Sequence, residues 1–372
     1  MTISHLAITH FRNILSASLS PAASVNIIYG ANGSGKTSIL ESLSVLGMGR
    51  SFRSHKYKTL INHQQDALTV FARLKNHNSV DIPVGVSRHR AGESSFRVDG
   101  CNVNSAASLA HYLPIQVINA HTFDLLEGSP KSRRQFMDWL VFHVEPQYYE
   151  AWKAAQRCLK HRNSLLRRDR IDRLELSPWD KELCVLTESI EQYRRTTIDV
   201  FLKTFNDLIE DFVVVDGLSL SYQRGWEAGI DYKDYLEQSF ESDCQSGYTR
   251  FGVHRADLKI KIGRQLAVDI LSRGQQKLLV CAMKIAQGLV FYRQTGRRCI
   301  YLVDDLPAEL DLEYRTLLAG WLHKMESQVF VTGVDKQVLL SCWRDTEVKA
   351  KKMFHVEHGC VVEDKSSQPI GD

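Results

Sequence analysis

No two of the eight cysteines fall in a C-x-x-C pair; they stand far apart, at Cys101, Cys158, Cys184, Cys244, Cys281, Cys299, Cys342 and Cys360. That excludes the usual metal-ligand spacings and leaves buried or free reduced thiols. No run approaches the ~18 to 20 uninterrupted apolar residues of a membrane span. Met1-Thr2-Ile3-Ser4-His5 lacks the basic and apolar regions of a signal peptide. The expectation is a cytoplasmic protein with no membrane partner. An excess of one charge is also missing: 47 Lys and Arg against 43 Asp and Glu leave +4, so nucleic-acid binding has to rest on local clusters. Internal repeats and low-complexity stretches are absent as well.

What the chain does have is 372 residues with 44% hydrophobic content, enough to bury a substantial core in two or three domains or one large interrupted one. Its strongest local signal is Gly30-Ala31-Asn32-Gly33-Ser34-Gly35-Lys36-Thr37, a complete G-x-x-x-x-G-K-[ST] phosphate loop. The apolar run Val25 to Tyr29 precedes it and Ser38 to Leu43 follows, giving the strand, loop and helix that the motif requires. The glycines let successive N–H groups and the helix N-terminus point at one phosphate chain. Lys36 is then placed to reach the β- and γ-phosphates of ATP, and Thr37 to hold Mg²⁺.

Near the other end, Arg298-Cys299-Ile300-Tyr301-Leu302-Val303-Asp304-Asp305 reads as an apolar strand ending in two acids. Alone this is a common strand end; paired with a phosphate loop it is a second nucleotide motif. Position assigns Asp304 to the metal and Asp305 to the attacking water as base, with Lys36 as the other catalytic group. Leu271-Ser272-Arg273-Gly274-Gln275-Gln276-Lys277 opens a helix with an apolar stripe. The plain reading of Ser272 is a helix N-cap; the functional one is that Ser272, Gly274 and Gln275 face a γ-phosphate.

Between these motifs the text changes character. Ala67 to Leu74 and Val80 to Ser87 read as strands, and Asp99-Gly100 marks a hairpin. From Lys131 to about Ile171 and from Trp179 to about Phe212 the chain is helical and charged, which predicts an antiparallel helical hairpin joined near Ser177-Pro178. Basic clusters occur at Arg50, Arg53 and Lys56 and at Lys160, Arg162, Arg167 and Arg168. Solvated faces are the usual fate of such runs, but they are also the electrostatic footprint that DNA requires.

Leu271 to Lys277 resembles the L-S-G-G-Q signature of ATP-binding-cassette (ABC) ATPases, with Arg273 in place of the first glycine. Together with Phe11-Arg12-Asn13, Gly49 to Arg53, Gly128 to Asp138, His161-Arg162-Asn163, His254 to Asp257 and Pro307 to Asp311, the motifs are similar to those of the RecF family of DNA-repair ABC ATPases, kin to the structural-maintenance ATPases. The resemblance implies an α/β fold: an ABC-type P-loop ATPase head with a parallel core sheet, an antiparallel β subdomain and an inserted coiled-coil-like helical arm. The implied domains are 1–130 for the N-lobe, 131–212 for the arm, 213–364 for the C-lobe and 365–372 for a disordered tail. It further implies an ATP-dependent homodimer that binds single-stranded DNA and gapped or duplex junctions, works with RecR- and RecO-type mediators at the nucleoid, and helps load a recombinase. Asp305 stands where most ABC ATPases have Glu, and Gln328 to Gly333 supplies no switch histidine, so hydrolysis is expected to be slow. The alternatives are the ATPase subunit of an ABC transporter or a non-hydrolysing ATP-dependent scaffold; the wide split between phosphate loop and signature argues against the first.

Overall fold

The computed structural model describes residues 1–54, 56–75, 80–168, 170–344 and 350–365; the expected tail at 365–372 lies outside them except for Lys365. The chain divides into two compact units: residues Met1–Thr122 together with Met283–Asp372, and residues Phe123–Ala282.

In the first unit, Val25–Tyr29, Gln328–Gly333 and Ile300–Val303 are short, almost wholly buried apolar runs, the pattern of parallel strands covered on both faces. They build a six-stranded sheet in the spatial order 360–363, 351–357, 25–29, 328–333, 300–303, 115–118. Neighbours are parallel except for the closing hairpin of Lys351–Glu357 with Cys360–Glu363. The five parallel strands, drawn from distant parts of the sequence, thus end on one side, where ligands of open α/β sheets bind.

A second, wholly antiparallel sheet runs in the order 14–19, 2–11, 67–75, 81–89, 94–98, 101–103. Its strands alternate buried and exposed residues, as in Ala67–Lys75, so only one face meets the core. Asp99 and Gly100 close the last hairpin with φ of 51° and 77°, the paired left-handed geometry of a two-residue turn. The phosphate-loop helix, Lys36–Met48, is buried along nearly its whole length. Its Ile39, Leu40, Leu43 and Leu46 share one apolar cluster with Ile8, Leu68 and Val70 of the antiparallel sheet and Ile28, Leu302 and Phe330 of the parallel one. The helix is therefore buried on both faces, its apolar side chains meeting the two sheets while Ser38, Glu41, Ser42 and Ser44 are buried with them.

The second unit contains the helices Pro130–Val144, Tyr148–Leu165 and Arg173–Leu208, with Leu218–Gln223 pairing antiparallel to Asp257–Ile262. Cross-helix bonds from Tyr193 to Gln147, Arg162 to Asp180 and Arg168 to Glu175 advance along one helix as they retreat along the next, which makes the pair an antiparallel hairpin. The break between them is not at Ser177-Pro178 as the sequence predicted. Asp172 caps the long helix by accepting from the Leu174 N–H at 2.8 Å, and Pro178 lies inside it. Proline removes the N–H that would bond the Leu174 carbonyl, but Leu174 is 82% exposed, so water replaces that bond at little cost. Pro146 does separate two helices.

Several charged motif residues turn out to hold this unit together. Arg133 donates to both oxygens of Asp257, at 2.7 and 3.1 Å, and Arg134 to the Ala256 carbonyl at 2.9 Å. Buried Arg194 meets Asp138, the Tyr148 hydroxyl and the Val253 carbonyl. Among the described residues no helix is long and apolar enough to cross a membrane, and no group of three or more His, Cys, Asp or Glu side chains could hold a metal.

Candidate functional site

The phosphate loop leaves strand Val25–Tyr29 and enters helix Lys36–Met48 through backbone that only glycine adopts easily. Gly30 has φ +150°, and a Cβ there would stand 2.2 Å from the Val356 carbonyl oxygen; Gly35 has φ +121°. The carbonyl of Ser34 accepts from the Gly359 N–H at 2.8 Å, so the turn of the C-terminal hairpin braces the loop. No side chain caps the helix, which leaves its first N–H groups for an anion. The Ser34 hydroxyl is buried without a partner in the same loop.

Lys36 Nζ donates to the carbonyls of Gly30 and Ala31, both at 2.9 Å. Burial lowers its pKa, while Asp305 and Asp304 act in the opposite sense. Thr37 Oγ1 donates to Asp304 Oδ1 at 2.9 Å, and Thr332 Oγ1 donates to the same oxygen at 2.8 Å. Burial raises the Asp304 pKa, and the two hydroxyl donors partly offset it. Asp305 adopts φ 51°, a left-handed conformation that Asp tolerates better than most side chains, and its N–H donates to Thr332 Oγ1 at 2.8 Å. Asn13, Asn32, Gly33, Gly35, Lys36, Thr37, Ser38, Arg53, Asp305 and Thr332 line one cavity of about 260 Å³.

Two of these lining residues, Ser38 and Thr332, were not singled out for the site by their sequence. Thr332 is the last residue but one of the parallel strand Gln328–Gly333, near where a switch histidine was sought; a polar β-branched residue at the end of a fully buried run was the available signal. Asn13 donates to the carbonyls of Gly33 and Ser34 and accepts from the Ser38 hydroxyl at 3.0 Å. Arg53, expected as a DNA contact, lines this cavity, while Arg50 and Lys56 are exposed near it in sequence.

In the second unit Ser272 is the N-cap of a helix that starts at Arg273. Its N–H donates to Gln275 Oε1 at 3.0 Å and its Oγ accepts from the Gln275 N–H at 3.3 Å, a reciprocal capping box. Capping uses a lone pair of the exposed hydroxyl and leaves its proton free to donate. Gly274 is half-buried beside it. Of the arm cluster, Lys160, Arg167 and Arg168 are exposed, with Arg168 paired to Glu175 at 2.5 Å and Arg167 donating to the Gly247 carbonyl. Arg162 is a correction: its side chain is 0% exposed and bonds Asp180, Asp243 and Thr249, each at 2.7 Å. A guanidinium already spent on two carboxylates inside the unit has no face for a phosphate.

Whether the site's residues suit ATP and Mg²⁺ can be tested on geometry. Two oxygens bound to one octahedral Mg²⁺ at right angles lie about 3 Å apart, given metal–oxygen distances near 2.1 Å. The Thr37 and Asp304 oxygens are 2.9 Å apart. Lys36, the uncapped helix start and the buried Ser34 hydroxyl supply donors for phosphates. The residues fit both groups.

A parallel sheet, a phosphate loop and a capped signature helix define an ABC-type ATPase head. The RecF/RecN/SMC N terminal domain profile matches residues 2–361. A DNA replication and repair protein RecF of Cellvibrio japonicus is 58% identical over 97% of this chain and 99% of the relative, and that of Azotobacter vinelandii is 47% identical over 98% and 99%. A solved structure of the recombination mediator protein RecF with ATP superposes with a TM-score of 0.86 at 22% identity, covering 98% of this chain and 97% of that one. An Smc head bound to the C-winged helix domain of ScpA gives a TM-score of 0.58 at 15% identity, covering 99% and 98%. The chain belongs to the RecF family of DNA replication and repair proteins.

Proposed function

We propose that this protein is an ATP-dependent DNA-binding protein of recombinational repair whose nucleotide bridges two copies of the chain. The observation that carries the nucleotide reading is the hydrogen bond to Asp304 from Thr37, which lines a cavity together with other residues of the phosphate loop. ATP with Mg²⁺ supplies the anhydride bond to be cleaved and the charge compensation for its oxygens.

The chain's own groups do the rest. Backbone N–H groups of Gly33 to Thr37 and the Lys36 ammonium bind phosphates, and Thr37 with Asp304 would hold the metal. Asp305 would orient the attacking water and accept its proton. Its carboxylate is one methylene shorter than Glu, and a misplacement of about 1 Å can lower a rate on the order of 10²-fold, so turnover is slow and bound ATP acts chiefly as a switch. Ser272, with the helix start at Gly274 and Gln275, would meet the γ-phosphate held by the partner copy's loop.

DNA contact falls to exposed cations, with Lys160, Arg167, Arg168, Arg50 and Lys56 as the candidates. Single-stranded DNA and gapped junctions are the expected targets, with RecR- and RecO-type proteins as partners; the relatives' role in replication and repair supports this. The test is binding to gapped, single-stranded and duplex DNA over a salt series with and without ATP. ATP-stimulated binding is expected, and equal affinity in both conditions would contradict the coupling.

A further inference from the structure

Glu41 lies one turn into the phosphate-loop helix with its side chain wholly buried, outside the cavity that the loop lines. Arg12 grips it with two hydrogen bonds of 2.7 Å, Nε to Oε2 and Nη2 to Oε1. Ser51 Oγ donates to Oε1 at 2.5 Å and itself accepts from the N–H groups of Arg53 at 2.9 Å and Ser54 at 3.1 Å. Glu41 thereby sets the backbone that carries Arg53. The Arg53 guanidinium stays 3.8 Å from Glu41 Oε2, beyond hydrogen-bond length, is 52% exposed, and lines the cavity with Lys36, Thr37 and Asp305. It is also close enough to act on the charge of Asp304, which marks the metal and terminal-phosphate end of the cavity.

Two arginines therefore compete for one buried carboxylate, and Arg12 holds the stronger, bidentate position. Arg12 sits in the turn between Thr2–Phe11 and Ile14–Leu19 with φ 52°, its N–H on the Leu60 carbonyl at 2.7 Å, so its own place is fixed from a second side. We propose that Arg12 is a positioning residue: by saturating Glu41 it keeps Arg53 available for the terminal phosphate of a nucleoside triphosphate, and so sets the preference for tri- over diphosphate from outside the cavity. This rests on reading the cavity as a nucleotide site. Without Arg12, the uncompensated carboxylate captures Arg53 and withdraws it.

The test is calorimetric titration of the full chain with ATP-γ-S and with ADP, each with Mg²⁺. Arg53→Ala is expected to weaken ATP-γ-S by about tenfold or more, the scale of a hydrogen bond to a charged group, with ADP changed by less than about threefold. Arg12→Gln should reproduce that selective loss although Arg12 does not line the cavity, and Arg12→Lys, which keeps the charge but only one bond, should lose part of it. Replacing Glu41 with Gln in the Arg12→Gln background removes the competing charge and should restore ATP-γ-S binding to within about threefold of wild type. Melting curves identify variants that fail to fold, and Arg12→Lys then carries the comparison. Equal weakening of both nucleotides by Arg12→Gln or Arg12→Lys, or a double variant no better than Arg12→Gln, would overturn the proposal. Wild-type protein that binds neither nucleotide would overturn the nucleotide reading itself, which separates the two failures.

Discussion

Thr37 Oγ1 and Asp304 Oδ1 are hydrogen-bonded at 2.9 Å across 267 residues of sequence. The bond exists because strands Val25–Tyr29 and Ile300–Val303 both flank Gln328–Gly333 and run parallel to it, so the loops leaving their ends emerge side by side. Replacing Lys36 with Met removes the cation that, in the proposed site, would bind the phosphates. ATP affinity is expected to fall by more than about tenfold, on the scale of a charge-assisted bond. ATP-stimulated DNA binding should fall in parallel. Titration of the variant with ATP-γ-S followed by a DNA-binding assay checks this; unchanged DNA affinity in ATP would break the link between the two.

In the proposed mechanism Asp305 serves the attacking water rather than the holding of the nucleotide. Asp305→Asn should lower ATP turnover by about 10² or more, the usual contribution of a general base, while ATP-γ-S binding stays within about threefold. Steady-state phosphate release and titration on the same preparation separate the two effects. A loss confined to binding would move the base role elsewhere.

The buried arginine and its exposed neighbours should respond in opposite ways. Arg162→Ala leaves Asp243 buried without its cation, and breaking such a pair costs about 3–5 kcal/mol, so chemical denaturation should show a large loss of stability. Substituting Lys160, Arg167 and Arg168 with Ala should barely change stability. If these side chains contact phosphates, the salt dependence of DNA binding should flatten by about 0.7 to 0.9 of a slope unit per lost contact. An unaltered slope assigns the DNA face to Arg50 and Lys56.

His254 gives the second unit an acid limit. Burial pushes its pKa down to about 4, and its Nε2–H donates to the Thr249 carbonyl at 3.0 Å, which only partly opposes the shift. The unfolded chain, with an imidazole pKa near ~6.5, binds more protons than the native state between those two values. Stability from this group is therefore present at neutral pH and lost as pH falls from about 6.5 towards 4. Denaturant midpoints measured across that window should decline for the wild type and decline less for His254→Gln; identical slopes would remove His254 as the cause.

Much of this site could be read from the sequence because its parts are local. A phosphate loop is eight consecutive residues with a fixed backbone demand, and Ile300 to Asp305 shows its burial as an unbroken apolar run ending in acids. The Asp99-Gly100 hairpin was legible for the same reason. What the sequence hid depends on distant partners. Arg162 looks like any member of a charged helix face until Asp243, 81 residues away, folds against it. Pro178 looks like a helix end, yet Asp172 starts the helix earlier and an exposed first turn tolerates the missing bond. Thr332 carries no motif at all and is recruited by sheet order, and Asn13, though part of the Phe11-Arg12-Asn13 motif, reaches the cavity only through the turn after the first strand.

The central claim is that each phosphate loop is half a site, completed by Ser272 of a second copy. In a two-fold dimer of Lys36→Met with Ser272→Arg, one composite site carries both defects and the other is intact. Each variant alone should be nearly inactive in ATP turnover, and an equimolar mixture should recover about a quarter of wild-type activity, since random pairing makes half the dimers mixed with one working site of two. A mixture no more active than its components would contradict the shared site.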